Sequence, residues 1–156
     1  MSTTSTSVPT LRPKLLTSIL VGGLAAGLFD YLSAVYLYGW RVSRGIASGL
    51  LGKPALQGGA ATWTLGLVLH FVIALSAAAI YCLASLRLRF LKDHWVVCGL
   101  FYGIAVYLVM NLIVLPLSAF PFPVGPFTVS GLIHGLLIHM ILIGLPISFS
   151  LRQFSK

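Results

Sequence analysis

The feature that most constrains this chain is a series of four long apolar segments. Of its 156 residues, 58% are hydrophobic and only 8% are charged, whereas a soluble domain carries about 25% charged residues. An apolar helix of about 20 residues is long enough to cross the hydrocarbon core of a bilayer. Segments of that length lie at about residues 15–38, 61–86, 95–119 and 127–151. The chain therefore reads as a membrane protein with four spans.

The four segments are predicted to be helices. Backbone polar groups in lipid must be satisfied within the protein, which leaves only helices and closed barrels as spanning structures. A barrel strand would alternate polar and apolar residues, and none of the four segments does so. We predict one all-α integral-membrane domain, a four-helix bundle over residues 15–151. The polar residues 1–14 are expected to form a disordered cytoplasmic tail.

The distribution of positive charge predicts the orientation in the membrane. If the N-terminus is inside, three basic residues, Arg41, Arg44 and Lys53, fall on the outer side. The other seven of the ten then fall on the cytoplasmic side, which favours both termini inside. The basic residues are scattered between apolar segments and form no stripe, so the expected partner is the lipid bilayer and not a nucleic acid.

The two halves of the chain resemble each other, which indicates a duplicated helical hairpin. The string "GLAAGLFDYL" at residues 23–32 aligns with "GLFYGIAVYL" at residues 99–108, with two glycines, two leucines and a tyrosine identical. The string "GLVLHFVIAL" at residues 66–75 aligns with "GLLIHMILIG" at residues 135–144, with a glycine, a leucine and a histidine identical. Two matches in the same order predict pseudo-symmetric repeats related by an axis along the membrane normal.

Four polar residues, one on each predicted span, lie at a similar estimated depth. At 1.5 Å per residue, Asp30, His70, Asn111 and His134 lie about 8–13 Å below the outer surface. His139 is expected to lie deeper, nearer the midplane. Ionisable groups in a bilayer are costly and usually face the bundle interior. One reading is structural: an Asp30–His70 pair and an Asn111–His134 bridge would fix the register of the helices.

The second reading of these residues is functional. Asp30, His70, Asn111 and His134 would bind or conduct a small ligand, an ion or a proton in the outer half of the membrane. The outer loop between the first two spans would form a short helix in the interface with Ile46, Leu50 and Leu51 facing lipid, or dip inward as a lid. As a gate it would use Arg44, Gly45, Ser48, Gly49, Gly52 and Lys53.

A third reading is electron transfer. His70 and His139, equivalent in the repeat, would be the axial ligands of a haem b, and Gly66 and Gly135, four residues earlier, would make room for the porphyrin. The same histidines, with His134 and Asp30, are candidate metal ligands.

The remaining readings concern partners and catalysis. Small residues spaced four apart, such as Gly23 and Gly27, suit close helix packing. They fit a homo-oligomer or an accessory subunit of a larger membrane complex. The chain carries no paired carboxylate, no nucleophile beside a base, no HExxH, no P-loop and no CxxC. The sequence therefore predicts no enzyme activity.

Three strings of the chain resemble a family of small bacterial inner-membrane proteins with four predicted spans. They are "RGIASGLLGKPALQGG", "LGLVLHF" and "GIAVYLVMNLIVLPLSAFP", and the resemblance covers about residues 15–150. It implies a multi-pass protein of the bacterial inner membrane. It implies no activity and no site residues.

Overall fold

The computed structural model describes residues 13–123, 125 and 128–155, and every regular element in these ranges is helical. The first three helices are α1 (Pro13–Tyr38), the shorter α2 (Val42–Leu51) and α3 (Ala60–Ala84). They are followed by α4 (Trp95–Leu117) and α5 (Val129–Phe154). Apart from α2, these helices are long and apolar enough to cross a membrane. The predicted all-α fold with four candidate spans is thus confirmed.

The boundaries of the four long helices lie within three residues of the predicted ones. Lys14, which we expected in the polar tail, lies in the first turn of α1. Residues 1–12 of the predicted tail lie outside the described residues, as do Val124, Pro126 and Phe127. A 3₁₀ turn over Lys53–Gln57 precedes α3, and a single helical turn over Phe90–Asp93 precedes α4.

The long helices form a bundle in which α1 packs against α3 and α5, and α5 packs against α4. We name its two ends by their connections. At the α2 end lie α2 and the connection between α4 and α5. At the 85–94 end lies the connection between α3 and α4. The apolar core of α1, α3 and α5 consists of Leu15, Ile19, Ala26, Ala77, Ala78, Tyr81, Cys82, Ile143, Ile147 and Leu151.

Small residues allow the helix backbones to come close, as their spacing predicts. A methyl group at Gly23 would lie 2.9 Å from the Cα of Leu75 on α3. A methyl group at Gly103 would overlap the His139 carbonyl on α5, and one at Gly144 would overlap the Gly99 carbonyl on α4. Close backbone contact of this kind stabilises helix pairs in lipid, where the hydrophobic effect does not drive association.

Both α4 and α5 contain a wider, π-helical segment, at Met110–Val114 and at His139–Gly144. Each segment is followed closely by a proline, Pro116 in α4 and Pro146 in α5. Proline has no N–H to donate to the carbonyl four residues earlier, so the preceding turn adopts another hydrogen-bond pattern. π-Helical turns occur frequently at functional sites, and these two contain Asn111 and His139.

The short helix predicted between the first two spans is present as α2, and it packs against α3. Ser43, Ala47 and Ser48 of α2 are buried. Any side chain at Gly66 would overlap the backbone of Ser43, so α2 and α3 touch directly. The Ala119 amide, which follows α4, donates a hydrogen bond to the Gly49 carbonyl at 2.8 Å. α2 is therefore held against the bundle on two sides.

Candidate intramembrane polar site

Asp30 of α1 and His70 of α3 lie side by side, as their estimated depths predict. The Oδ2 atom of Asp30 is 4.0 Å from the Nε2 atom of His70, and the two side chains are only 19% and 12% exposed. His70 Nε2 also lies 2.9 Å from the Gly27 carbonyl oxygen. Because a carbonyl oxygen only accepts, Nε2 must carry the proton and donate it. The Gly27 carbonyl of α1 therefore orients the His70 ring, and the same Nε2 atom is the one that lies near Asp30.

His70 and His139 line one small cavity, which we call the central cavity. Its volume is about 100 Å³, and Asp30 is its third ionisable wall residue. A space of that size holds several water molecules. The rest of the wall is apolar or backbone: Ala26, Gly27, Ile46, Ile73, Ala74, Ala77, Val106, Met110 and Ile143.

His139 and His70 lie at equal distances from the first residues of their helices. His70 lies ten residues after Ala60, the first residue of α3, and His139 lies ten residues after Val129, the first of α5. Both histidines are therefore about 15 Å along their helices at 1.5 Å per residue. The greater membrane depth expected for His139 stays a prediction.

A larger cavity, which we call the polar cavity, lies among α1, α4 and α5 towards the α2 end. Its volume is about 660 Å³, within the range of small-molecule sites. Four of the five predicted residues line it: Asp30, Asn111, His134 and His139. His70 does not. Asp30 and His139 line both cavities and therefore form the wall between them.

Two histidines of the polar cavity share one protonation pattern. Nδ1 of His139 lies 2.9 Å from the Gly135 carbonyl, and Nδ1 of His134 lies 2.9 Å from the Ser130 carbonyl. In each ring Nδ1 must be the donor, so the neutral imidazole keeps a lone pair on Nε2. Neutral His139 can therefore accept a proton on Nε2, whereas neutral His70 can accept one on Nδ1.

The predicted bridge between Asn111 and His134 is not formed. The Asn111 side-chain amide donates to the Tyr107 carbonyl at 2.9 Å, one turn earlier on its own helix. His134 is likewise bonded to its own helix. Both residues line the polar cavity, but the two helices are not joined by a hydrogen bond between these side chains.

Two tyrosines lie against the histidines, although neither was predicted as a site residue. Tyr31 lies against His70 with ring centroids 5.4 Å apart, and Tyr107 lies against His139 at 5.2 Å. The Tyr31 hydroxyl is also within 2.6 Å of the Ser43 hydroxyl of α2. Tyr31 and Tyr107 are identical in the alignment of the two halves, and this identity could have indicated them as site residues.

The candidate gating residues lie on or just after α2, away from the wall of the polar cavity. Arg44, Gly45, Ser48 and Gly49 belong to α2; Gly52 ends it with a φ of +70°, and Lys53 begins the 3₁₀ turn.

The expectation that Ile46 faces lipid is wrong, because its side chain lines the central cavity. Leu50 and Leu51 are 60% and 49% exposed, as expected for that loop. α2 thus closes the central cavity at one end.

The residues present do not fit a haem between His70 and His139. The cavity that both histidines line is about 100 Å³, well below the several hundred Å³ of ordinary cofactor sites. The space expected beside Gly66 is filled by the Ser43 backbone, and that beside Gly135 by the Tyr107 ring. Within residues 13–123, 125 and 128–155, no group of three or more His, Cys, Asp or Glu side chains is placed to hold a metal.

No protein-family model, no curated protein and no solved structure matches this chain. The resemblance to small four-span proteins of the bacterial inner membrane stays a prediction. The function is argued from the site alone.

Proposed function

We propose that this chain is a multi-pass membrane protein that binds a small cation in the polar cavity and conducts protons across the membrane by way of this cavity and the central cavity. The observation that carries the proposal is the shared wall: Asp30 and His139 line both cavities. Within the long helices Asp30 is the only carboxylate. An ionisable residue at membrane depth that faces a cavity commonly marks an ion or proton pathway.

The protonation states suit a relay. Asp30 supplies negative charge, which favours a cation or a proton. His139 keeps a lone pair on Nε2, where it can take up a proton. A proton that His139 takes up on Nε2 from the polar cavity passes to the Asp30 carboxylate, which lines both cavities, or to Nδ1 of neutral His70. Asn111 and His134 then orient the ligand in the polar cavity.

The proposed duplication of the hairpin agrees with the position of the site in the bundle. Under the two alignments Asp30 corresponds to Val106, His70 to His139 and Ala74 to Ile143, and all six line the central cavity. This supports a cavity on the pseudo-symmetry axis between the halves, where duplicated transporters hold their substrates. The one carboxylate makes the site asymmetric, because its counterpart is a valine.

The setting that we propose is the bacterial inner membrane with both termini in the cytoplasm. The ratio of seven basic residues to three supports this orientation. The 85–94 end is then cytoplasmic, and the polar cavity opens in the half of the bundle towards the outer side. Four helices enclose little space, which supports assembly into a homo-oligomer or with other membrane subunits.

Proton uptake into vesicles tests the proposal. The purified protein is reconstituted in liposomes that contain a pH-sensitive dye, and a potassium gradient with valinomycin sets a negative interior potential. We expect uptake well above that of empty liposomes. Asp30→Asn should lower it roughly tenfold or more, because the pathway loses its only intramembrane carboxylate.

The matched control is Asp93→Asn, which changes the only other acidic residue of the chain. Asp93 is exposed in the 85–94 connection, so its substitution should leave uptake unchanged. Wild-type protein that admits protons no faster than empty liposomes would overturn the proposal, and so would a fully active, correctly folded Asp30→Asn variant.

A further inference from the structure

An apolar cleft, distinct from the central and polar cavities, lies between α3 and α4 towards the 85–94 end. Its volume is about 700 Å³, and its walls include Ile80 and Ala84 of α3 and Phe101 and Ala105 of α4. Ile80 and Phe101 are 63% and 68% exposed, so the cleft opens to the side of the bundle. It shares no wall residue with either the central or the polar cavity.

A tyrosine pair lines the cleft between α3 and α4. Tyr81 of α3 and Tyr102 of α4 lie with ring centroids 4.8 Å apart. The two rings meet at an angle of 54° between the helices. The space beside the rings is the cleft.

The tyrosine hydroxyls of this wall are already bonded to the protein. The Tyr102 hydroxyl donates to the Ala77 carbonyl at 2.7 Å, and the Tyr81 hydroxyl donates to the Leu91 carbonyl at 3.1 Å. The cleft thus presents hydrocarbon to its occupant, which suits an acyl chain and gives a polar metabolite nothing to bind.

Positive charge borders the cleft at its 85–94 end. Leu88, Phe90 and Leu91 line the cleft, and the basic residues of the same connection are Arg87, Arg89 and Lys92, against one acid, Asp93. Arg87 and Arg89 are exposed. Basic residues beside a groove at the membrane surface bind anionic lipid headgroups.

We propose that the cleft binds an anionic phospholipid. One acyl chain lies between α3 and α4, and Arg87 and Arg89 bind the phosphate. Charge complementarity selects a lipid over a second copy of the chain, because a neighbouring apolar helix would leave the arginines without an anionic partner. The proposal is independent of the proton pathway, since the two regions share no residue.

Native mass spectrometry of the protein with phosphatidylglycerol or phosphatidylcholine tests this inference. We expect phosphatidylglycerol to be retained preferentially. Arg87→Gln/Arg89→Gln should weaken its binding by about fivefold for each charge removed. The matched control is Arg41→Gln/Lys53→Gln, which removes two exposed charges at the α2 end and should leave retention within about twofold of wild type.

A second pair of variants tests the acyl site without changing charge. Ala105→Trp fills the cleft and should reduce retention of phosphatidylglycerol, while Ala25→Trp, in the groove between α1 and α5, should not. Wild-type retention in the arginine variant, or equal losses in its control, would overturn the proposal. It would also be overturned if Ala105→Trp changed the number of subunits and left lipid retention intact.

Discussion

Tyr31 of α1 lies against His70 of α3 with ring centroids 5.4 Å apart, and Tyr107 of α4 lies against His139 of α5 at 5.2 Å. Both residues of the second pair are the counterparts of the first under the sequence alignments. The same contact therefore recurs at the same register in each half. This supports the hypothesis of a duplicated hairpin.

The glycine contacts of the two halves follow the same register. Gly23 faces Leu75, and its counterpart Gly99 faces Gly144, the counterpart of Leu75. The carboxylate breaks this pattern, because Asp30 has Val106 as its counterpart. The four predictions that follow concern these contacts, the position of α2 and the fit of a haem.

Moving the carboxylate to the equivalent position should restore part of the activity. Asp30→Val should abolish proton uptake, and adding Val106→Asp should recover a measurable fraction, because residue 106 lines the same central cavity beside His139. The measurement is dye-reported uptake in liposomes. If Asp30→Val/Val106→Asp stays as inactive as Asp30→Val in a folded protein, the two positions are not equivalent.

Adding a methyl group at Gly66 should destabilise the protein. In Gly66→Ala the new atom overlaps the Ser43 backbone, and overpacking of this kind costs about 1–3 kcal/mol. Thermal unfolding in detergent measures the loss. Gly45→Ala is the control: nothing lies within 4 Å of its added methyl, and α2 should gain about 0.5–1 kcal/mol of helix propensity. Equal stability of the two variants would contradict the packing of α2 on α3.

The hydroxyl pair of Tyr31 and Ser43 should be coupled energetically. They lie 2.6 Å apart and buried, and interhelical hydrogen bonds of membrane proteins contribute about 0.6 kcal/mol on average. A double-mutant cycle with Tyr31→Phe and Ser43→Ala should give a coupling of this size. Tyr38→Phe, at a tyrosine that is 73% exposed, serves as control and should change stability little. A coupling of zero would show that the pair is not formed in solution.

Protein purified from haem-replete cells should be colourless. The central cavity is too small for a porphyrin, and Ser43 and Tyr107 fill the spaces beside Gly66 and Gly135. The absorption spectrum is the measurement. A Soret band that disappears in His70→Ala and His139→Ala would show that these helices separate to admit a haem, contrary to the packing described.

Several features of this protein were accessible from the sequence. Long apolar segments without polar–apolar alternation form helices in lipid, so the number of candidate spans and their approximate limits followed directly. The pairing of Asp30 with His70 followed from depth alone, because both positions are counted along straight helices. The alignment of the two halves predicted His70 and His139 as counterparts, and both line the central cavity.

The tertiary structure decided what depth and periodicity leave open. Whether Ile46 faces lipid or a cavity depends on the packing of α2 against α3 at Gly66. This contact joins residues that are distant in the sequence. Asn111 bonds to its own helix and not to His134, because a side chain has a direction as well as a depth. The wall that Asp30 and His139 form between two cavities exists only where three helices meet. Sequence spacing describes one helix at a time, and the site is a property of several packed together.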